Sequence, residues 1–244
     1  MPLQHRTGNG IVYSSAYLSE SEAEQSLLRD VEEQPTADLN KLRFVTGKRK
    51  KSWHRNCVAI GLAAGFLEPL ESTSLYLVQI AIQKLLEHFP NQQINNIERD
   101  SFNRQIDNEY LRARDFIILH YKVNQRTDSD FWQDCQAMSV PDSVASQLDL
   151  FAESARIKVY RQGLFLPASW LAVCFGQGFI PKNYDARVDS VAVDVLDKHF
   201  DDYSQVIKQA VSAMPTHAKS IADTANSAQR RYATAAKSLY GINA

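Results

Sequence analysis

Apolar residues recur along this chain with two different periods, and the change of period divides it. Up to about residue 61 they come in short runs. Ile11-Val12-Tyr13 follows the turn cluster Thr7-Gly8-Asn9-Gly10, Leu42-Arg43-Phe44-Val45 precedes Gly47, and Cys57-Val58-Ala59-Ile60 ends at Gly61. Short β-rich runs bounded by turn residues predict strands, with one more over Lys51 to His54, and the last run reads as a buried strand. One helix interrupts them, over Glu20 to Glu32, with Ser19 as its N-cap and Leu27, Leu28 and Val31 on its apolar face.

From Thr73 onward the spacing is helical. Leu75, Val78, Ile82, Leu85 and Leu86 predict a helix to about His88, and Phe102, Ile106, Tyr110, Ala113 and Ile117 predict another. Val144, Leu148 and Phe151 open a third after Pro141-Asp142, and Ser169 to Cys174 form a short fourth. A long helix runs from about Arg187 to Ala213 with Val191, Val195, Tyr203, Val206 and Ile207 among its apolar positions. The tail beyond Pro215 is rich in Ala and Ser and predicts a loosely anchored helix. The expected fold class is α+β and mostly helical, with short N-terminal β segments followed by a helical body. Three or four short strands seldom stand without partner strands, so this organisation points to part of something larger.

Composition narrows the function classes. The chain has 244 residues, enough for one large domain or two small ones, and 44% hydrophobic against 23% charged residues is an ordinary globular balance. Lys and Arg number 27, Asp and Glu 28, and the formal charge is −1, which gives no general electrostatic basis for binding nucleic acid or an anionic membrane. Cys57, Cys135 and Cys174 include no C-x-x-C pair and predict reduced, mostly buried thiols. The start carries no apolar run after a basic cluster, and the apolar-rich stretch Leu75 to Leu86 is broken by Gln79, Gln83 and Lys84. Neither a signal peptide nor a membrane span is expected, and the expected location is cytoplasmic. Lys48-Arg49-Lys50-Lys51 is read as a solvated hairpin turn, and the six histidines show no metal-ligand spacing.

The chemistry concentrates between Asn56 and Pro90. A strand ending at Gly61 is followed by a loop with Gly65 and Pro69 and by a helix starting near Thr73. A helix N-terminus offers backbone N–H groups and a positive dipole end, and so can hold an anion. Glu68 and Glu71 sit just before it. A carboxylate beside an anion is unfavourable unless it handles protons. The alternative is a helix capped by Ser72 or Thr73, with the acids merely favouring the dipole. Spacing alone leaves both open.

Gly61-Leu62-Ala63-Ala64-Gly65-Phe66-Leu67-Glu68-Pro69-Leu70-Glu71-Ser72-Thr73 resembles the G-L-x-x-G-F-x-E-P-L-E-S-T segment of the flavin-dependent tryptophan halogenases. The likeness extends to Pro2 through Gly10, to Arg114 through Tyr121, to Phe131-Trp132, Ser169-Trp170 and Gly176-Gln177-Gly178. It covers the chain almost continuously from Pro2 to about Tyr184, and it matches that family's C-terminal half.

The resemblance implies an enzyme that uses FAD as FADH2, supplied by a separate flavin reductase, with O2 and chloride or bromide. Hypohalous acid then halogenates an electron-rich indole. Glu71 matches the glutamate that stabilises the developing cation or accepts the ring proton. Thr73 and Ser74 match the pair whose backbone N–H groups hold the halide. Leu62 and Leu75 match flavin-touching positions, and Pro69 lies between flavin and substrate. Phe131 and Trp132 match the aromatic pair beside the indole, and Tyr121 a residue at its polar end. Ser74 replaces the Gly of well-known members without removing the backbone donor. Thr127 stands where members acting on free tryptophan carry a Glu, which argues for an indole, a peptidyl tryptophan or another electron-rich arene.

The G-x-G-x-x-G fingerprint, the family's lysine and its W-x-W-x-I-P signature are absent from this sequence. Residues 1–72 are therefore expected to complete a flavin-binding domain, 73–214 to form the substrate side, and 215–244 to form the tail. The chain alone is expected to be inactive, and a homodimer stays open. The rival readings are a non-catalytic helical binding module and a flavin monooxygenase relative that does not halogenate.

Overall fold

Ser19 starts the first helix, α1 (Glu20–Arg29), as the sequence predicts. Its hydroxyl accepts from the Glu22 N–H while the Glu22 carboxylate accepts from the Ser19 N–H, satisfying two N-terminal donors reciprocally. The helix stops short of Glu32, with Asp30 at its end. The computed structural model describes residues 7–31, 35–91, 93–159 and 163–226. The expectations placed on Met1 to Arg6 and on 227–244 lie outside the described residues. The chain divides into two units, Met1–Asp185 and Ala186–Ala244.

Four strands of two residues each follow α1: β1 (Gly47–Lys48), β2 (Trp53–His54), β3 (Cys57–Val58) and β4 (Gly65–Phe66). β1 pairs antiparallel with β4 and β2 with β3. The sequence overstates them. Ile11–Tyr13 and Leu42–Val45 form no strand, and the run from Cys57 pairs only over its first two residues, with Cys57 exposed. β propensity reports how well a side chain fits a pleated, half-buried surface. Each described sheet here has only two strands, so little of that surface exists. The basic segment is not a hairpin tip either. Lys48 pairs with Asp107, and Arg49 donates its backbone N–H to the Ala64 carbonyl at 2.7 Å and its Nε to Ala63 at 2.5 Å.

The remaining helices of the first unit are α2 (Thr73–Glu87), α3 (Asn96–Lys122), α4 (Asp130–Ala137), α5 (Asp142–Ser154) and α6 (Pro167–Gly176). Asn95 caps α3, its side chain accepting from the Glu98 N–H at 2.8 Å. α3 is 27 residues long. Its first half contributes Phe102, Ile106 and Tyr110 to one core with Trp53, Leu77 and Ala81. Its second half contributes Phe116 and Leu119 to another with Phe151, Trp170 and Cys174. Asn103 fastens the β2–β3 pair to α3, accepting from the Trp53 N–H at 2.8 Å and donating to the Trp53 carbonyl at 2.9 Å.

α2 turns a different face inward from the one its spacing suggests. Thr73, Leu77 and Ala81 are buried, with Tyr76 and Leu85 partly so, while Leu75, Ile82 and Leu86 are exposed. The helix is apolar on more than one side, so periodicity alone cannot choose the face. α4 has only eight residues, too few for a period to show, and no helix was expected there. Of the three thiols, Cys57 is exposed, Cys135 intermediate and Cys174 buried, so the expectation of mostly buried thiols fails at Cys57. Burial pushes the Cys174 thiol up to about 11. The second unit holds a 3-10 turn over Ala186–Ser190, α7 (Val193–Ala213) and helical residues over 217–226. α7 begins later than Arg187, and none of its residues is buried. Among the described residues no helix is long and apolar enough to cross a membrane.

Two glycines of the Gly61–Thr73 segment have distinct jobs. Gly61 has φ +64 and opens a 3-10 turn, Gly61–Ala63. Gly65 sits where β4 crosses β1, and an added Cβ would lie 2.8 Å from the Gly47 carbonyl oxygen and 2.8 Å from Lys48 Cα. Both obstacles are backbone. Gly65→Ala is therefore expected to destabilise the chain by about 1–3 kcal/mol, read as a lowered midpoint in urea unfolding. Unchanged stability would contradict the packing described here.

Candidate functional site

The segment between β4 and α2 is tightly bent. Pro69 precedes a 3-10 turn over Leu70–Ser72, and two consecutive non-glycine residues there are left-handed, Glu71 at φ 66 and Ser72 at φ 52. Such conformations cost about 1–3 kcal/mol each and persist only where the surroundings impose them. Ser72 occupies the N-cap position of α2 but makes no capping hydrogen bond, which removes the simple reading of Ser72 as a side-chain cap. The helix therefore begins without a side-chain acceptor on its N-terminal donors. Thr73 is fully buried, and its Oγ1 makes no hydrogen bond. Ser74 is exposed. Leu62 and Leu75 are 77% and 82% exposed, and Pro69 is exposed as well.

Two contacts hold this bend on α3. The Tyr121 hydroxyl donates to Glu68 Oε1, and His120 Nε2 lies 2.9 Å from Glu71 Oε1. Glu68 and Glu71 are thus clamped on consecutive residues of one helix. Burial and the Glu68 carboxylate beside it push the Tyr121 phenol well above its usual range, so it remains a donor. The Tyr76 hydroxyl makes a parallel link, donating to Glu109 at 2.7 Å.

Next to the bend is a cavity of about 340 Å³. Leu67, Ile117, Ile118 and Phe131 supply apolar wall, and Glu68, Arg114 and Tyr121 supply polar points. The size and lining suit a small flat molecule. The three predicted substrate residues pack together, and two of them, Tyr121 and Phe131, line the cavity. Tyr121 stacks on Trp132 with ring centroids 5.8 Å apart, and Phe131 meets Trp132 edge-on at 4.9 Å. Phe131 lines the cavity and Trp132 lies behind it. The Arg126 guanidinium sits 4.5 Å over the Trp132 ring and also binds Asp128 at 2.5 and 2.9 Å. Asp128 is therefore already paired, and Thr127 is exposed with its carbonyl accepting from Gln133.

Sequence reasoning missed three contributors. Tyr17 packs edge-on to Phe131 at 5.3 Å and donates to Asp134 at 2.6 Å. Arg114 lines the cavity. His120 contacts Glu71 across 49 positions of sequence; it lies within the Arg114 through Tyr121 stretch of the resemblance, which assigned it no role. Among the described residues no group of three His, Cys, Asp or Glu could hold a metal ion.

The strained bend, the uncapped helix start and the aromatic-rimmed cavity agree with the segment resemblance, and the chain belongs to the tryptophan halogenase family, whose sequence profile matches residues 1–193. It is 33% identical over 223 residues to the 7-chloro-L-tryptophan 6-halogenase KtzR of Kutzneria sp. (strain 744), a match covering 89% of this chain and 43% of that protein. It is 37% identical over 155 residues to the tryptophan 7-halogenase RebH of Lentzea aerocolonigenes, covering 62% of this chain and 29% of that protein. Among solved structures, the flavin-dependent halogenase Xcc4156 from Xanthomonas campestris superposes with a TM-score of 0.85 at 39% identity over 91% of this chain and 45% of that one. BrvH, a flavin-dependent halogenase from Brevundimonas sp. BAL3, gives 0.79 at 40% identity over 86% of this chain and 43% of that one. The chain thus spans less than half the length of these relatives.

The clamp predicts a stability cost when one side is removed. Tyr121→Phe leaves the Glu68 carboxylate without its donor and is expected to cost about 1–3 kcal/mol in urea unfolding. No loss would mean that the contact does not hold the bend.

Proposed function

We propose that this chain forms the halide and substrate side of a flavin-dependent halogenase that chlorinates or brominates an electron-rich arene. The observation that carries the reading is the bend at Glu71-Ser72. It spends backbone strain to present a carboxylate at an uncapped helix start, beside the buried, unpartnered Thr73 Oγ1. The exposed apolar surface of Leu62, Leu75 and Pro69 suits the flat ring of FAD. When bound, reduced FAD with O2 supplies the oxidising equivalent that turns chloride or bromide into hypohalous acid, and a flavin reductase supplies the reduced form.

The chain's own residues serve the halide and the arene. The backbone N–H groups of Thr73 and Ser74 hold the halide at the positive end of the α2 dipole. Tyr121 and Phe131 supply the aromatic wall for the arene, and Trp132 backs them, stacked on Tyr121 and edge-on to Phe131. As the carbon–halogen bond forms, the carbon–hydrogen bond breaks, and Glu71 accepts the departing proton. The substrate we favour is an indole without a free ammonium group, a tryptophan within a peptide, or another electron-rich arene. Thr127 is neutral and Asp128 is engaged by Arg126, so neither supplies an ammonium partner.

The test uses the native polypeptide that carries this chain, given FAD, a flavin reductase, O2 and chloride or bromide, against a panel of free and peptidyl indoles. A halogen-sized mass increase on one of them is expected, with product formation lowered about 10²–10⁴-fold by Glu71→Gln. Oxidation without any halide would favour a monooxygenase relative, and unchanged turnover in E71Q would remove Glu71 from the chemistry. Binding of indoles without turnover would favour a non-catalytic module.

A further inference from the structure

We propose that His120 is the positioning residue for Glu71 and that the two side chains share one proton. The inference rests on the reading of Glu71 above but is carried by different geometry. His120 Nδ1 lies 2.8 Å from the Phe116 carbonyl oxygen. A carbonyl can only accept, so Nδ1 carries a hydrogen. In a neutral imidazole Nε2 would then be a bare lone pair. Yet Nε2 lies 2.9 Å from Glu71 Oε1, and a carboxylate oxygen is also only an acceptor. Two acceptors do not hold each other at that distance. The contact requires a proton between them, either on an imidazolium or on a neutral carboxyl.

The surroundings leave Glu71 as the natural partner of that proton. The His120 ring is flanked by the Phe116 ring, edge-on at 4.8 Å, and Phe116 packs on Phe165 and Trp170. Most of the other ionisable groups on the elements packed here have partners of their own, and Asp130 at the start of α4 is exposed. Glu68 on the bend accepts from Tyr121 of α3, and on α3 Arg114 binds Asp115. Lys122 donates to the carbonyls of Gln136 and Met138 at 2.6 and 2.8 Å. On α4, Asp134 accepts from Tyr17, and burial raises the Cys135 thiol, which stays neutral. α6 carries no charged residue.

The pairing gives each carboxylate oxygen a separate task. Oε1 is engaged by His120, which leaves Oε2 as the oxygen available to take the arene proton. It also explains how a carboxylate can stand beside a bound anion, because the shared proton offsets its charge. The turnover balances with the shared proton resting on His120 Nε2: the Glu71 carboxylate takes the arene proton and returns it to water, while the imidazolium keeps the shared one.

Nitrogen-15 NMR of the chain labelled at histidine tests the pair without flavin, halide or substrate. His120 is expected to show a protonated Nδ1 and an Nε2 resonance displaced from that of a free acceptor. Glu71→Gln brings its own N–H to Nε2, so the resonance is expected to move to that of a neutral Nδ1–H imidazole. A bare Nδ1, or an Nε2 resonance indifferent to E71Q, would overturn the proposal. In the active protein, His120→Gln is expected to lower kcat about 10²-fold with arene KM within twofold. A raised arene KM with kcat unchanged would leave His120 without a part in positioning Glu71 and also overturn it. The two readings fail separately. A coupled pair without halogenation would refute the function alone, and an essential Glu71 with an indifferent His120 would refute the pair alone.

Discussion

α3 is held at both ends and pinned along its length. Phe102 and Ile106 lie in one core, Phe116 and Leu119 in the other. Between them its side chains bind the preceding chain at intervals. Asn103 binds Trp53, Tyr110 reaches the Gly65 carbonyl, and His120 and Tyr121 take Glu71 and Glu68. Because every one of these attachments sits on the same rigid helix, a shift of α3 by one residue would break all of them together. The position of the bend before α2 is therefore set by packing well away from it.

That arrangement accounts for the strain. Left-handed Glu71 and Ser72 would relax in a free loop, since neither residue favours that region. The chain enters the bend through Gly65, pressed against β1 backbone, and leaves it through buried Thr73. Glu68 and Glu71 are tied to α3 between those fixed points. The strain is local, and the two cores and the clamp supply what holds it. The outcome is a carboxylate, a helix start and an aromatic wall brought within one small region.

Much of this was legible in the sequence, for identifiable reasons. The segment Gly61–Thr73 is restricted residue by residue, by a positive φ at Gly61, crowding at Gly65 and a bend at Glu71-Ser72, so its pattern survives as a recognisable string. Ser19 and Glu22 announced α1 because a capping box is local chemistry. The strands were overread because Leu42–Val45 has the residues of a strand but no neighbour to pair with among the described residues. The buried face of α2 was misjudged because Leu75, Ile82 and Leu86 form a second apolar stripe. His120 was passed over as one of six scattered histidines, since its importance arises only when α3 brings it to Glu71.

We infer that the α2 start beside the Glu71-Ser72 bend is an anion site built for halide. Anomalous diffraction from crystals of the native polypeptide soaked in bromide reads this directly. The account predicts a bromide peak within hydrogen-bond reach of the Thr73 and Ser74 backbone N–H groups, with Glu71 still on His120. Bromide bound elsewhere in the chain while the α2 start holds none would contradict it.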